Sequence, residues 1–414
     1  MAMGMGCPQK KGDYFMKLGK GIGIAVPEIL IPDEKTNMRK WAVIACDQRT
    51  SDQKYWDELE KIVGDKPSTL RLTLPEIYLS GDCAAHIAAV RETMDEYRSK
   101  GVFRKLPRGF ILVERKTPVS PMRRGIVLAV DLEMYSYEKK SDAAIRASEA
   151  TILERIPPRL KIREGASIEF PHIMLLYDDP QDTVLGALKN EKLETLYDTD
   201  LNMGGGHVTG KFISDCRPVI ERFNKLEKDG LLFMVGDGNH SLATAKAMWE
   251  KRKEGLSEEE RAVHPARYAL CEAVNLYDEG IVFEAIHRVV KGVDAQKFAK
   301  SLHFSGTGEG AVYIGGKRTP LHVAADVPAA VAETDACIAR YIAENGGEVD
   351  YIHGEDALAE ITREHADCVG ICLPKMDKSE LFPAVKKYGS LPRKTFSMGE
   401  SEEKRYYIEG KEIL

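Results

Sequence analysis

The chain has 414 residues, 43% of them hydrophobic and 30% charged, and a formal net charge of −6. That length exceeds what one hydrophobic core usually covers, and the charges are mixed in sign rather than blocked, so no nucleic-acid partner is expected. The first dozen residues, Met1 to Gly12, lack an apolar signal region, and no stretch approaches the ~18 apolar residues of a membrane span, so a cytoplasmic protein with no membrane partner is expected.

Eight cysteines (Cys7, Cys46, Cys83, Cys216, Cys271, Cys337, Cys368 and Cys372) show no paired CxxC spacing and read as reduced core thiols. Cys368 and Cys372 stand four apart in an apolar run. A redox or metal pair is conceivable there, but on a strand they simply share one face.

In chain order, Lys40 to Cys46 reads as a buried strand ending at Asp47, and Asp52 to Val63 as an amphipathic helix. Pro75-Glu76-Ile77-Tyr78 leads to a second helix, Cys83 to Arg98. Two strands follow, Gly109 to Glu114 and Gly125 to Asp131, spaced as an antiparallel hairpin. A helix over Ala143 to Arg155 is expected to stop at Pro157-Pro158, leaving Arg159, Lys161 and Arg163 on an extended segment. Next come a strand, Ile168 to Tyr177, a helix, Ser214 to Lys228, and a continuously apolar strand, Leu231 to Val235. A helix to Lys253 and a strand, Arg267 to Leu276, complete the domain.

The pattern then changes to a smaller α/β region with two short strands, a helix around Pro328 to Glu344 and a β-α-β-α run to Tyr388. The expected organisation is a large α/β domain with a mixed sheet over 13–290, a smaller one over 291–390, and a tail, 391–414, returning to the first.

The chemistry concentrates where the apolar run meets Gly236-Asp237-Gly238-Asn239-His240-Ser241. Two glycines let main-chain amides converge, and a helix beginning at this turn, capped by Asn239 or Ser241, adds positive potential, so anions are expected to bind. Asp237 offers a carboxylate for a cation or a proton, Asn239 an amide donor, and His240 an imidazole for an oxyanion. The plain alternative is a tight βα turn with a solvent-facing histidine. Gly205 to Lys211 matches the Gly-x4-Gly-Lys part of a P-loop, but Phe212 replaces the magnesium-binding hydroxyl, and the run reads better as a loop able to close over substrate.

Seven segments together carry a resemblance: WAVIACDQRTSDQKYW (Trp41 to Trp56), PSTLRLTLPEIYL (Pro67 to Leu79), ERIPPRLKIR (Glu154 to Arg163), FPHIMLLYDDP (Phe170 to Pro180), VGDGNHSLATAKAMWE (Val235 to Glu250), HPARYAL (His264 to Leu270) and LPRKTFSMGE (Leu391 to Glu400). The chain resembles the family catalogued as domain of unknown function 1015, related to the ParB/sulfiredoxin-like superfamily. The resemblance implies a ParB/sulfiredoxin-like core. Free-serine kinases of that superfamily carry a turn written Asp-Gly-His-His-Arg, which falls here on Asp237, Gly238, Asn239, His240 and Ser241. Its first histidine and its arginine are absent, and the arginine's loss removes a bidentate phosphate clamp. Arg159, Arg163, Lys246, Arg267 and Lys394 are the candidate substitutes.

The resemblance implies transfer of a phosphoryl group to a small hydroxyl metabolite such as free L-serine, from a nucleoside phosphate (ATP or ADP) or pyrophosphate, with Mg²⁺. Gly236, Gly238, Asn239 and Ser241 are expected at the phosphates, Asp237 at the cation or the acceptor proton, and His240 at a transferring oxygen. Asp47 and Glu76 are secondary candidates for general base, against a reading as capping carboxylates. His172, beside Pro171 in an apolar run, reads more readily as a core histidine. A nucleotide-binding regulatory module and a phosphate-ester hydrolase stay open beside the kinase, as does the oligomeric state.

Overall fold

Strands rich in β-branched residues build one mixed sheet, seen in a computed structural model that describes residues 20–50, 52–79, 83–399 and 401–414. The expectations placed on Met1 to Gly12, and the thiol of Cys7, lie outside the described residues. The chain divides into two units, Met1–Ile281 with Glu400–Leu414, and Val282–Gly399.

In the first unit the sheet strands are β1 (Ile24–Ala25), β2 (Phe110–Lys116), β3 (Arg123–Asp131), β4 (Tyr135–Ser136), β5 (Ile145–Ala147), β6 (Met174–Tyr177), β7 (Glu194–Asp200), β8 (His207–Ile213), β9 (Phe233–Asp237) and β10 (Tyr268–Asn275). Their order is β7-β8-β2-β3-β10-β6-β9-β5-β4, with β1 also paired to β3. β6 runs parallel to β10 and antiparallel to β9, while β9, β5 and β4 are parallel. A mixed α/β fold results, and β2 with β3 forms the expected antiparallel hairpin.

Helix α1 (Gln53–Val63) buries Tyr55, Trp56, Leu59 and Val63 on one stripe, and Asp52 caps it by accepting from the Tyr55 amide at 3.1 Å. The other helices used below are α2 (Ala84–Ser99), α3 (Ile156–Arg163), α4 (Arg217–Leu226) and α5 (Asn239–Lys253).

Several local expectations are corrected. Lys40 and Trp41 end a short helix started by Asn37, so only Val43–Ile44 of the first predicted strand is extended. Ala143 to Arg155 is not a helix: Ile145–Ala147 fills the slot parallel to β9, and that tertiary pairing overrides helix propensity. Pro157-Pro158 opens α3 rather than ending a helix, because proline's fixed φ suits the first turn, so Arg159 and Arg163 sit on a helix. The strand over Ile168 to Tyr177 breaks at Phe170 to Ile173, which contains Pro171. His207 to Lys211 of the P-loop-like run are strand residues paired on both sides, which removes the closing-loop reading for them.

The segment after residue 400 crosses the first unit. Tyr406–Tyr407 pairs with Val43–Ile44, Lys411–Glu412 pairs with Ile168–Glu169, and Leu30 and Gly410 exchange backbone hydrogen bonds of 2.7 and 2.8 Å. Buried charge fixes this crossing. Arg405 contacts Glu272 at 2.8 Å and Glu409 at 2.6 Å. Arg115 donates to the carbonyls of Gly205, Glu402 and Lys404, and Arg123 to that of Glu403.

In the second unit β11 (Ile286–Lys291), β12 (Gly308–Ile314), β13 (Lys317–Val323), β14 (Glu348–His353) and β15 (Val369–Cys372) form an antiparallel sheet ordered β13-β12-β15-β11-β14. Fully buried Arg288 is paired with Asp335 of the helix α6 (Val327–Asn345) at 2.8 and 3.0 Å. Cys368 and Cys372 are buried free thiols, and burial pushes Cys372 up to about 12.

Replacing Arg405 by methionine removes the cation shared by Glu272 and Glu409 in a buried setting, leaving Glu272 only Arg123 at 3.8 Å. A loss of roughly 3–5 kcal/mol in unfolding free energy is expected, the range for breaking one side of a buried pair. Urea denaturation checks it, and a loss below ~1 kcal/mol would remove the network from its structural role.

Candidate functional site

The site begins where β9 runs out. A register shift opposite Met174 and Leu175 takes up Gly236, so the strand extends to Asp237 instead of stopping at Val235. Gly238 then turns the chain at φ +77°, where a Cβ would stand 3.0 Å from Ile173 Cα and 3.5 Å from His172 Cδ2. Both the left-handed backbone and the close approach require glycine. Gly238 is itself the N-cap of α5, with no side-chain cap bond, which corrects the assignment of that role to Asn239 or Ser241. Asn239, His240 and Ser241 are therefore the first three helical residues, whose amides have no intrahelical acceptor.

Three other segments meet this turn: residues 46–47 after the Val43–Ile44 strand, Pro171 to Ile173 before β6, and the crossing segment after residue 400. His172 Nε2 lies 3.3 Å from Asp47 Oδ2, and its Nδ1 lies 2.9 Å from the Tyr407 hydroxyl. That hydroxyl accepts from the Cys46 amide at 3.1 Å and lies 2.9 Å from Cys46 Sγ. Lys404 Nζ donates to Asp237 Oδ2 at 3.1 Å. The His172 side chain is 9% exposed and that of Lys404 19%, so these charges are poorly screened.

Burial alone would raise the Asp47 carboxyl, but the His172 ring and then Lys404 outweigh it and hold it well below the usual carboxylate range. For His172 burial disfavours the charged form, yet Asp47, helped by Asp237, raises it above its ordinary 6.5. Burial likewise works against charged Lys404, and Asp237 with Asp47 raises it. Two carboxylates and two cations thus share one field. Protonated His172 donates from both nitrogens, so the Tyr407 hydroxyl is left to donate to Cys46 Sγ. The Cys46 thiol is pushed up to about 12, chiefly by burial, and stays protonated.

Glu76 is tied to the same corner by its amide, which donates to the Cys46 carbonyl at 2.9 Å, and its carboxylate is ion-paired with Arg159. His240 Nε2 accepts from the Ile152 amide at 3.3 Å, which places the neutral ring's proton on Nδ1. Asn239 Oδ1 is buried and has no hydrogen-bond partner among the described residues.

The structure therefore brings Asp47, Asp237, Gly238, Asn239 and His240 to one place, with Glu76 and Arg159 beside Cys46. The remaining bases are engaged by other acids: Arg163 by Glu169, Lys246 by Glu250 at 2.5 Å, and Arg267 by Asp131 at 2.6 and 2.9 Å. Lys394 belongs to the second unit, in a turn with φ +59°. The cation set against the turn is Lys404, which sequence reasoning passed over, as it did Tyr407, while His172 was read as core. No local signal marks Lys404, which reaches the site through strand pairing 362 and more residues away in sequence.

A cation must be considered against this donor set. Among the described residues no three His, Cys, Asp or Glu side chains group to hold a metal. Mg²⁺ needs fewer, since it commonly uses one or two carboxylates together with substrate phosphates, and Asp237 and Asp47 match that donor set.

The model of the family described as "Protein of unknown function (DUF1015)" matches residues 29–364. No curated protein matches the chain. Among solved structures the chain is similar to a free serine kinase variant in complex with ADP, at 11% identity and a TM-score of 0.39, covering 72% of this chain and 94% of that one. It is also similar to a conserved hypothetical protein from Pyrococcus furiosus, at 14% identity and 0.36, covering 68% and 94%. A third is C-terminally truncated SbnI from Staphylococcus aureus, at 10% identity and 0.36, covering 66% and 82%.

The His172–Asp47 pair has a signed pH signature. Raised His172 contributes stability that is complete below 6.5 and is lost as pH climbs through its elevated folded value; depressed Asp47 contributes above 3.8 and loses it as pH falls through its own folded value. The stability gap between wild type and His172→Asn is therefore expected to be widest between these limits and to shrink as pH rises from 6.5. Denaturant titrations over that interval check it, and a gap that is constant or widens on the alkaline side would contradict the pairing.

Proposed function

The chain belongs to the DUF1015 family of proteins of unknown function, and from its own site we propose that it is a phosphotransferase acting on a small hydroxyl metabolite such as free L-serine. The phosphoryl donor is a nucleoside phosphate, ATP or ADP, or pyrophosphate. The proposal includes a ParB/sulfiredoxin-like ancestry for the core around β9 and α5. One observation carries the reading: the Asp237–Lys404 and Asp47–His172 pairs flank a glycine-turned helix start. Phosphoryl transfer is mostly positioning and charge neutralisation, and it asks for these parts.

In this reading the amides of Asn239, His240 and Ser241 and the Lys404 ammonium receive the donor's phosphate oxygens. The side-chain Nδ2–H of Asn239 and the Nδ1–H of His240 donate further hydrogen bonds there. Asp237, with Asp47, would hold Mg²⁺, which when bound neutralises phosphate charge. Asp47 also aligns the acceptor hydroxyl, whose oxygen forms the new P–O bond as the donor's bridging P–O bond breaks. The electron pair leaves with the nucleoside diphosphate from ATP, the monophosphate from ADP, or phosphate from pyrophosphate, and the hydroxyl proton passes to solvent by way of the carboxylate. His172, fixed by Tyr407, keeps Asp47 ionised for that role. Glu76, bound to Arg159, is the second candidate for the base, beside Asp47.

Phosphorus NMR of the protein with ATP, Mg²⁺ and a panel of hydroxyl amino acids tests the reading, with parallel runs on ADP and pyrophosphate. A new phosphomonoester signal is expected; inorganic phosphate alone would mean a hydrolase, and saturable binding of unchanged donor would mean a regulatory module. Asp237→Asn is expected to abolish turnover with the fold intact, and Lys404→Met to lower kcat/KM by roughly 100-fold, the scale for losing one well-placed transition-state donor. Steady-state kinetics beside circular dichroism checks both variants, and a fully active Asp237→Asn protein would refute the cation role.

A further inference from the structure

A second reactive group stands on the first unit, in a cavity of about 180 Å³ that the proposed transfer does not use. Its walls include Val26 and Ala129, with Arg108, Lys411 and the acids Glu28 and Glu412, both of which are ion-paired with Lys105. Engineered cavities of about 150 Å³ accept benzene, so a small organic molecule fits. Lys411 is 6% exposed and its Nζ donates to two main-chain carbonyls, those of Pro265 and Glu412, each at 2.8 Å.

Among the described residues no carboxylate pairs with this amine. Glu169 is its partner across the strand pair, but the two Glu169 oxygens are taken by the Arg163 guanidinium and the Leu270 amide. Burial is the main cause that lowers Lys411 to about 8; Glu169 and Glu412 oppose it, Arg163 adds to it, and the Lys411 charge in turn disfavours a charged His264. A neutral amine has two N–H bonds, and both are accounted for by the two carbonyls. Its lone pair is the remaining valence, which is the form that attacks carbonyl carbon.

We propose that this cavity is a covalent binding site for a small aldehyde bearing a carboxylate, held as a Schiff base on Lys411 with the exposed Arg108 guanidinium taking the carboxylate. The nitrogen lone pair forms the C–N bond as the carbonyl π pair moves to oxygen. The carbinolamine then loses water, whose two hydrogens come from the amine, and nothing is oxidised or reduced. When the imine is protonated, one N–H remains for a main-chain carbonyl.

Reductive trapping of the full chain with glyoxylate and cyanoborohydride, followed by peptide mapping, tests the site. At limiting glyoxylate Lys411 is expected to be modified at least 10-fold faster than solvent-exposed lysines such as Lys189, with a rate that rises through about pH 8 and levels off. Arg108→Gln, on an exposed side chain that leaves the fold alone, is expected to slow glyoxylate trapping while leaving propionaldehyde trapping unchanged. Modification spread over lysines by exposure overturns the proposal, as does an Arg108→Gln protein that treats both aldehydes alike.

Discussion

Everything at the site takes its place from one buried electrostatic constraint: Arg405, enclosed in the first unit, is held between Glu272 of the sheet and Glu409 of its own segment. A charge in such surroundings tolerates only one alignment, because a slip of one residue would part Glu272 from Arg405, leaving it only Arg123 at 3.8 Å, and carry Arg405 toward Asp237. Arg115 and Arg123 grip the carbonyls on the other side of that segment. Lys404 and Tyr407, next to Arg405, are thereby delivered to Asp237 and His172. Charge pairing in the interior sets the register, the register sets the site, and the site's own pairs are a continuation of the same network.

Before any ligand arrives, the turn is charge-balanced rather than open. Lys404 is occupied by Asp237 and His172 by Asp47, so a polyanion entering here exchanges one set of partners for another instead of filling a bare cationic hole. In the proposed reading such an exchange favours a ligand that brings its own cation, since Mg²⁺ would take the carboxylates as the phosphates take the ammonium and the helix amides. The Gly238 turn contributes geometry to this, since any side chain there would press on Ile173 and His172.

The residues explain what could be read in advance. The apolar run before Gly236 and the helix formers after it mark β9 and α5 because local periodicity determines both, and the hairpin of β2 and β3 is visible for the same reason. The stretch from Ala143 to Arg155 misleads because its composition favours a helix, while a vacant position beside β9 decides otherwise. Pro157-Pro158 is ambiguous in isolation: the same ring that ends one helix begins another. Asp47, Asp237 and His240 could be named from residue type. Lys404 and Tyr407 could not, since their meaning depends on pairing across almost the whole chain, and His172 looks like a packed residue until its two partners are seen.

The first unit is discontinuous, with residues 282–399 lying between its main part and the segment that carries Lys404. During synthesis, at ~5–20 residues per second, on the order of ten seconds separates the emergence of β10 from that of its closing strand. Throughout that interval Glu272 has no Arg405 and Asp237 no Lys404. The nascent first unit therefore carries the open edges of Val43–Ile44 and Ile168–Glu169, and Asp237 without its ammonium, until the last crossing is made.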